Sequence, residues 1–259
     1  MENRQQWLVS RFNSVIAGIP EHVKLVAVSK HFPVQDIKVI YEQGQRQFGE
    51  NYAQELIEKA AHLPPDIEWH FIGGLQSNKI TMLLKCPSLH TIQTVDSISK
   101  AEEIEKQCAK IGRQVNIYIQ VNASLEKGKH GLHPSLVEGA CLHILSNMKR
   151  CVLVGLMMIG SVKQSLSENE NTEFMLMNIL QKDIELSSGK RLMLSMGMTM
   201  DFEKAIEQGS DLVRIGSAIF GSRVHEPVEE NISLQDTEKI SLAGESTGRG
   251  TQYHGQGRF

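Results

Sequence analysis

The run "VAVSK" (26–30) ends an apolar, β-branched stretch on Lys30. A lysine amine partly desolvated at the end of a strand loses its proton readily and can attack an aldehyde to form a Schiff base. By itself Lys30 reads first as a rim residue whose stem packs on apolar surface while its charge reaches water. Two distant segments add an opposite chemistry. In "SMGMTMDFEKAI", Ser195, Gly197 and Thr199 occupy a turn before a helical pattern, where hydroxyls, backbone N–H groups and the helix dipole favour an anion. "VRIGSAIFG" supplies Gly216 and Ser217 after a strand, with Arg214 just before them. Such glycines and hydroxyls also serve ordinary turns and caps. Together with Lys30 they describe a phosphate anchor facing an amine, the two ends of a site for a small phosphorylated aldehyde.

Residues so far apart need a fold that gathers strand ends on one face. Short apolar, β-rich runs alternate with helix-period segments, and 24–30, 46–51, 68–74, 89–96, 115–124, 152–160, 191–197 and 212–221 read as strands. Between them, "VQDIKVIYEQG" repeats Val34, Ile37, Ile40 and Tyr41 at helical spacing and stops at Gly44. "DFEKAIEQG" runs from an expected N-cap, Asp201, to Gly209. Parallel neighbours need crossovers, normally helical, so the alternation predicts an α/β fold, a single closed (β/α)8 TIM barrel, with a doubly wound open sheet as the alternative. In such barrels the strand C-termini carry the chemistry, and the loops after strands seven and eight often hold a phosphate. Lys30 and the two glycine-containing segments occupy those places. Trp7, Leu8, Phe12 and Ile16 predict an extra N-terminal helix. The barrel domain is expected over 1–225 and a disordered tail over 226–259, where Glu, Ser, Thr, Gly and Gln prevail without an apolar period.

In order and spacing, "VAVSK", "FGENY" then "QE", "WHFIG" then "LQSNK", "LSMGM", and "VRIG" then "AIFG" resemble the family of pyridoxal 5'-phosphate (PLP) homeostasis proteins, the YggS and PROSC group, over residues 4–224. The resemblance implies a barrel like the N-terminal domain of alanine racemase, with PLP covalently bound at Lys30. It implies phosphate ligands at Ser195, Thr199, Gly216 and Ser217, a pyridine-facing Arg214, and Asn51 and Tyr52 beside the cofactor. The implied function is PLP binding in intracellular vitamin B6 homeostasis without robust catalysis, so no catalytic residue is assigned. PLP-dependent apoenzymes are the expected recipients, and a monomer or weak dimer the expected state.

A guanidinium can only donate, so a ring nitrogen facing Arg214 stays unprotonated and makes the cofactor a poor electron sink. The chain is also expected to lack the C-terminal domain that gives a racemase of this fold its second acid/base. A racemase drawing that base from elsewhere and a Schiff-base aldolase are the competing readings. Two positions leave the family's pattern. "KHFP" replaces the common Lys-Thr-Lys-Pro, setting His31 and Phe32 beside Lys30, and "WHFIGGLQ" has Gly74 where histidine is common.

The net charge of −3 gives no basis for a nucleic-acid partner, and no apolar run approaches the roughly 20 residues of a membrane span. Without a leader-like apolar segment at its start, the chain is expected in the cytoplasm. Cys86, Cys108, Cys141 and Cys151 lack C-x-x-C spacing, so neither a disulfide framework nor a structural zinc is expected. The histidines show no paired carboxylate cluster, and no metal is expected; His70 is expected to hydrogen-bond inside the barrel. Met193, Met196, Met198 and Met200 read as gap fillers near the barrel mouth, and "GKHG" (128–131) as a solvated loop.

Overall fold

The computed structural model describes residues 3–222 apart from Glu168, so the tail expected over 226–259 lies outside the described residues. Parallel strands close into a barrel in chain order: β1 (Lys24–Val28), β2 (Gln47–Glu50), β3 (Glu68–Phe71), β4 (Leu89–Val95), β5 (Val115–Val121), β6 (Cys151–Met158), β7 (Met193–Ser195) and β8 (Leu212–Ile215). Closure is made by β1, which pairs with β2 on one side and β8 on the other. The expected (β/α)8 barrel is the fold. Helix α1 (Arg4–Ala17) precedes it, and the crossovers carry α2 (Val34–Glu42), α3 (Ala53–His62), α4 (Ser77–Leu84), α5 (Ile98–Ile111) and α6 (Pro134–Asn147). The later crossovers carry α7 (Val162–Ser165) with α8 (Thr172–Ser188), and α9 (Phe202–Glu207); α10 (Ser217–Phe220) follows β8. Among the described residues no helix is long and apolar enough to cross a membrane.

The strands are sandwiched between the barrel interior and the helices, which explains their nearly unbroken apolar sequences. Leu25 to Val28 in β1 and Ile117 to Val121 in β5 are buried without alternation. The segment read as one strand over 212–221 is instead β8 followed by α10. A short apolar run such as "AIF" fits a buried helix turn as well as a strand, and here Ile219 and Phe220 go into the core from α10. Asp201 stands at the N-cap of α9 without capping it in the expected way. Its carboxylate accepts from Met198 N–H (2.7 Å) and Ser165 Oγ (2.5 Å), so it ties the preceding loop rather than the helix.

The N-terminal helix buries Leu8, Phe12 and Val15, while Ile16 is exposed. The guanidinium groups of Arg4 and Arg11 each lie over the Trp7 ring, 4.7 and 4.8 Å from its centroid. Those arginines also donate to carbonyls of α10, Arg11 Nε to Ala218 O (2.6 Å) and Arg4 Nη2 to Phe220 O (3.0 Å). The extra helix thus docks on the element that follows β8.

Two adjacent glycines after β3 make a direct test of this packing. A Cβ on Gly73 would lie 1.8 Å from Asn51 O, whereas one on Gly74 would meet nothing within 4 Å. Gly73→Ala is expected to lower stability by at least about 3 kcal/mol, and Gly74→Ala to change it by less than about 0.5 kcal/mol, as read from urea midpoints.

Candidate functional site

Lys30 sits in a tight turn at the C-terminal end of β1. Ser29 extends the ladder by donating its N–H to Gly49 O (3.0 Å), and Phe32 N–H closes the turn on Ser29 O (3.0 Å). Lys30 is half-buried at the second position, and His31 takes the third with φ +66°. A side chain in that left-handed region costs roughly 1–2 kcal/mol, which is why glycine or asparagine usually stands there.

A buried charged network supports this strained turn. Glu55 Oε1 accepts from His31 N–H (2.6 Å), Lys59 Nζ donates to Ser29 O (2.8 Å), and Ser29 Oγ donates to Glu50 Oε1 (2.6 Å). Lys59 pairs with both Glu50 and Glu55 at 2.7 Å. Burial pushes the Glu50 carboxyl from its ordinary 4.5 up to about 7, against the opposing pull of Lys59. Sequence reasoning missed Glu50, Glu55 and Lys59. The rule that singled out Lys30, a charged residue at a strand's end, applies equally to Glu50.

The residues around the turn connect it to the neighbouring strands. The His31 ring lies 5.2 Å from Tyr52, and Phe32 stacks on Phe220 of α10 at 5.1 Å. Asn51 and Tyr52 follow β2, with the Asn51 backbone against Gly73. On the other side of β1, Gly216 brings the end of β8 against Val28; a Cβ there would be 3.1 Å from Val28 O. Beyond it, Ser217 Oγ donates to Thr199 Oγ1 (3.2 Å) at the exposed rim. Lys30, Asn51, Tyr52, Thr199, Gly216 and Ser217 therefore stand at one end of the barrel, at or just beyond the ends of the adjacent strands β2, β1, β8 and β7.

Ser195 does not join the rim hydroxyls. It is fully buried, donating through Oγ to Gln93 Oε1 (2.7 Å) and accepting from Arg214 Nη1 (2.7 Å). Arg214 also donates through Nη2 to Met158 O (2.7 Å), and Gln93 Nε2 meets His70 Nδ1 at 2.8 Å. A polar file thus crosses the barrel interior from β3 through β4 and β7 to β8. Loss of water lowers Arg214 to about 10, with Asp201 acting in the opposite direction, so the guanidinium remains charged at neutral pH. His70 is the interior hydrogen-bonding residue expected. An amine, a pair of rim hydroxyls and a buried guanidinium form a donor set that fits a phosphorylated aldehyde carrying a basic ring nitrogen.

The family profile described as "Alanine racemase, N-terminal domain" matches residues 8–224. The chain is similar to the pyridoxal phosphate homeostasis protein of Schizosaccharomyces pombe, 43% identical over 82% of this chain and 90% of that one. It is similar to the human protein of the same name, 41% identical over 77% of this chain and 76% of that one. Among solved structures, PipY from Synechococcus elongatus with PLP bound has a TM-score of 0.73 and 32% identity over 83% of this chain and 100% of its own. Alanine racemase from Clostridium difficile, at 15% identity and a TM-score of 0.72 over 85% of this chain and 58% of its own, shares the fold.

The network beneath Lys30 gives two measurable consequences. Lys59→Met leaves the Glu50 carboxylate buried without its cation and is expected to cost about 3–5 kcal/mol in urea unfolding, with Glu50→Gln added to it recovering part of the loss. The folded chain also holds a proton on Glu50 over a pH range where the unfolded chain does not. Stability from this group is therefore greatest below pH 4.5 and falls as pH rises to about 7. Glu50→Gln is expected to flatten that slope.

Proposed function

The chain belongs to the family of pyridoxal phosphate homeostasis proteins, built on the alanine racemase N-terminal domain, and on that premise we propose that it binds PLP in cellular vitamin B6 homeostasis. Lys30 would hold the cofactor through Nζ, whose amine is the group that reacts with an aldehyde. Thr199, Ser217 and Gly216 hold the phosphate, Asn51 and Tyr52 flank the cofactor, and Arg214 faces the ring nitrogen. Ser195 acts through Arg214 by fixing one edge of the guanidinium. The protein works in the cytoplasm as a monomer or weak dimer and passes PLP to dependent apoenzymes.

The observation that carries this reading is the buried, charged Arg214 held by Ser195 Oγ and Met158 O. When bound, PLP supplies an electrophilic carbon and an electron-withdrawing ring, and that ring withdraws most strongly when its nitrogen is protonated. A guanidinium has no lone pair to accept such a proton, so it stabilises the unprotonated nitrogen. This favours holding the cofactor over driving carbanion chemistry on it.

The purified full chain is expected to show a visible absorption band that borohydride reduction removes, with the reduced cofactor mapping to a peptide containing Lys30. A label on another lysine overturns the assignment. Thr199→Ala and Ser217→Ala each remove a hydrogen bond to a charged group and are expected to raise the Kd for PLP about tenfold. Unchanged affinity in both sinks the anchor. Exchange of the α-proton on D- or L-amino acids that disappears in Lys30→Ala would establish the racemase reading instead.

A further inference from the structure

Early in β3 and β4 lies a cluster of which only His70 touches the polar file that holds Arg214. Glu68 and His70 lie two residues apart on β3 and so point to the same face. Alternation along β4 would turn His90 away from the side taken by Thr91. The ladder prevents this. Trp69 pairs with Leu89 and His70 pairs with Thr91, which leaves His90 as an extra residue, a β-bulge that re-aims its side chain. Its ring lies 5.6 Å from that of His70, and its Nε2 lies 4.0 Å from Glu68 Oε2. One donor atom from each of the three residues falls within 4.8 Å of the others. The sequence by itself shows no cluster of histidines with a carboxylate, because this grouping is made across strands.

An independent observation points to a ligand. Nε2 of His70 is buried with no hydrogen-bond partner among the described residues, and the residue is only 2% exposed. A buried polar nitrogen left unpaired costs about 1–3 kcal/mol. Nδ1 of His90 meets Thr91 Oγ1 at 2.8 Å, and its Nε2 lies 3.4 Å from Asn116 Nδ2, so neighbouring side chains orient the ring. Gln47 Nε2 donates to Glu68 Oε2 (2.9 Å), while Gln47 Oε1 is itself buried without a partner.

We propose that Glu68, His70 and His90 form a zinc site at the N-terminal end of the barrel. Two imidazole nitrogens and a carboxylate oxygen suit Zn2+ and leave a fourth position for water or Gln47 Oε1. Thr91, Gln93 and Gln47 are the outer groups that orient the ligands. The partly exposed side chains of Glu68 and His90 can close the remaining gap to ligand distances by rotation. Lys24 also acts on His70 from this end, but it is exposed, so its ammonium can swing into water.

The test uses the full chain, stripped with a chelator, equilibrated with zinc chloride and dialysed, with retained metal measured by elemental analysis. Wild-type protein is expected to retain about one Zn2+ per chain and to melt at a higher temperature with the ion than without it. His90→Ala and Glu68→Gln, both partly exposed changes, are expected to lose the retained metal and the thermal shift while keeping PLP binding. Wild-type protein that retains no zinc, or variants that retain as much as wild type, overturns the site.

Discussion

A guanidinium inside a closed barrel is the constraint on which the rest of the site depends. Arg214 has almost no contact with water and remains charged, so its donors require acceptors from the barrel itself. Met158 O supplies one and Ser195 Oγ another, and Ser195 is oriented in turn by Gln93, which reaches His70. A satisfied polar network in a low-dielectric interior specifies one arrangement, because any displacement strands a buried group. That arrangement fixes the ends of β6, β7 and β8 relative to one another. The main chain adds to it, since Arg214 N–H donates to Gly197 O (3.1 Å) and so ties β8 to the loop that carries Thr199. The rim hydroxyls of Thr199 and Ser217 inherit their positions from a charge they do not touch.

The Lys30 side of the barrel solves a different problem. There the backbone is strained at His31, and the turn persists because its polar groups are held from below by Glu50, Glu55 and Lys59. Phe32 holds the turn laterally through its stack on Phe220. The α10 element is itself held by Arg4 and Arg11, whose positive charges meet the carbonyls at its C-terminal end, the favourable sign for a helix dipole. The N-terminal helix is therefore coupled to the lysine turn through α10, and the core packing of Leu8 and Phe12 supports the site as well as the fold.

The barrel was legible because its strands and helices alternate locally, and a buried parallel strand is apolar from end to end. Lys30, Thr199, Gly216 and Ser217 were legible because strand ends of such a fold share one face. What remained hidden depends on contacts between distant residues or on a single-residue shift. Nothing local links Gln93 to Ser195, so Ser195 read as a rim hydroxyl when it is an interior one. Glu50 and Lys59 lie on different elements, and only α3 folding back on β2 pairs them. The bulge at His90 moves one side chain to the other face, which no alternation pattern in "LHTIQTVD" records. The break between β8 and α10 was hidden for a third reason, since a few apolar residues carry no period.

The two departures from the family's pattern can be weighed by what surrounds them. Gly73 is fixed by a backbone approach that excludes any side chain, but Gly74 opens onto free space, where the Cβ of the histidine common at that position would meet nothing within 4 Å. Its loss removes a polar group from the mouth and changes no internal contact. At "KHFP" the exchange goes the other way, because Phe32 replaces a cation and gains an aromatic partner in Phe220, while His31 gains Tyr52. Both changes reduce the polar character of the rim between β1 and β3. Neither reaches Arg214 or the Thr199–Ser217 pair. The interior that positions the anchor is thus separable from the mouth that other molecules meet, and variation here falls on the mouth.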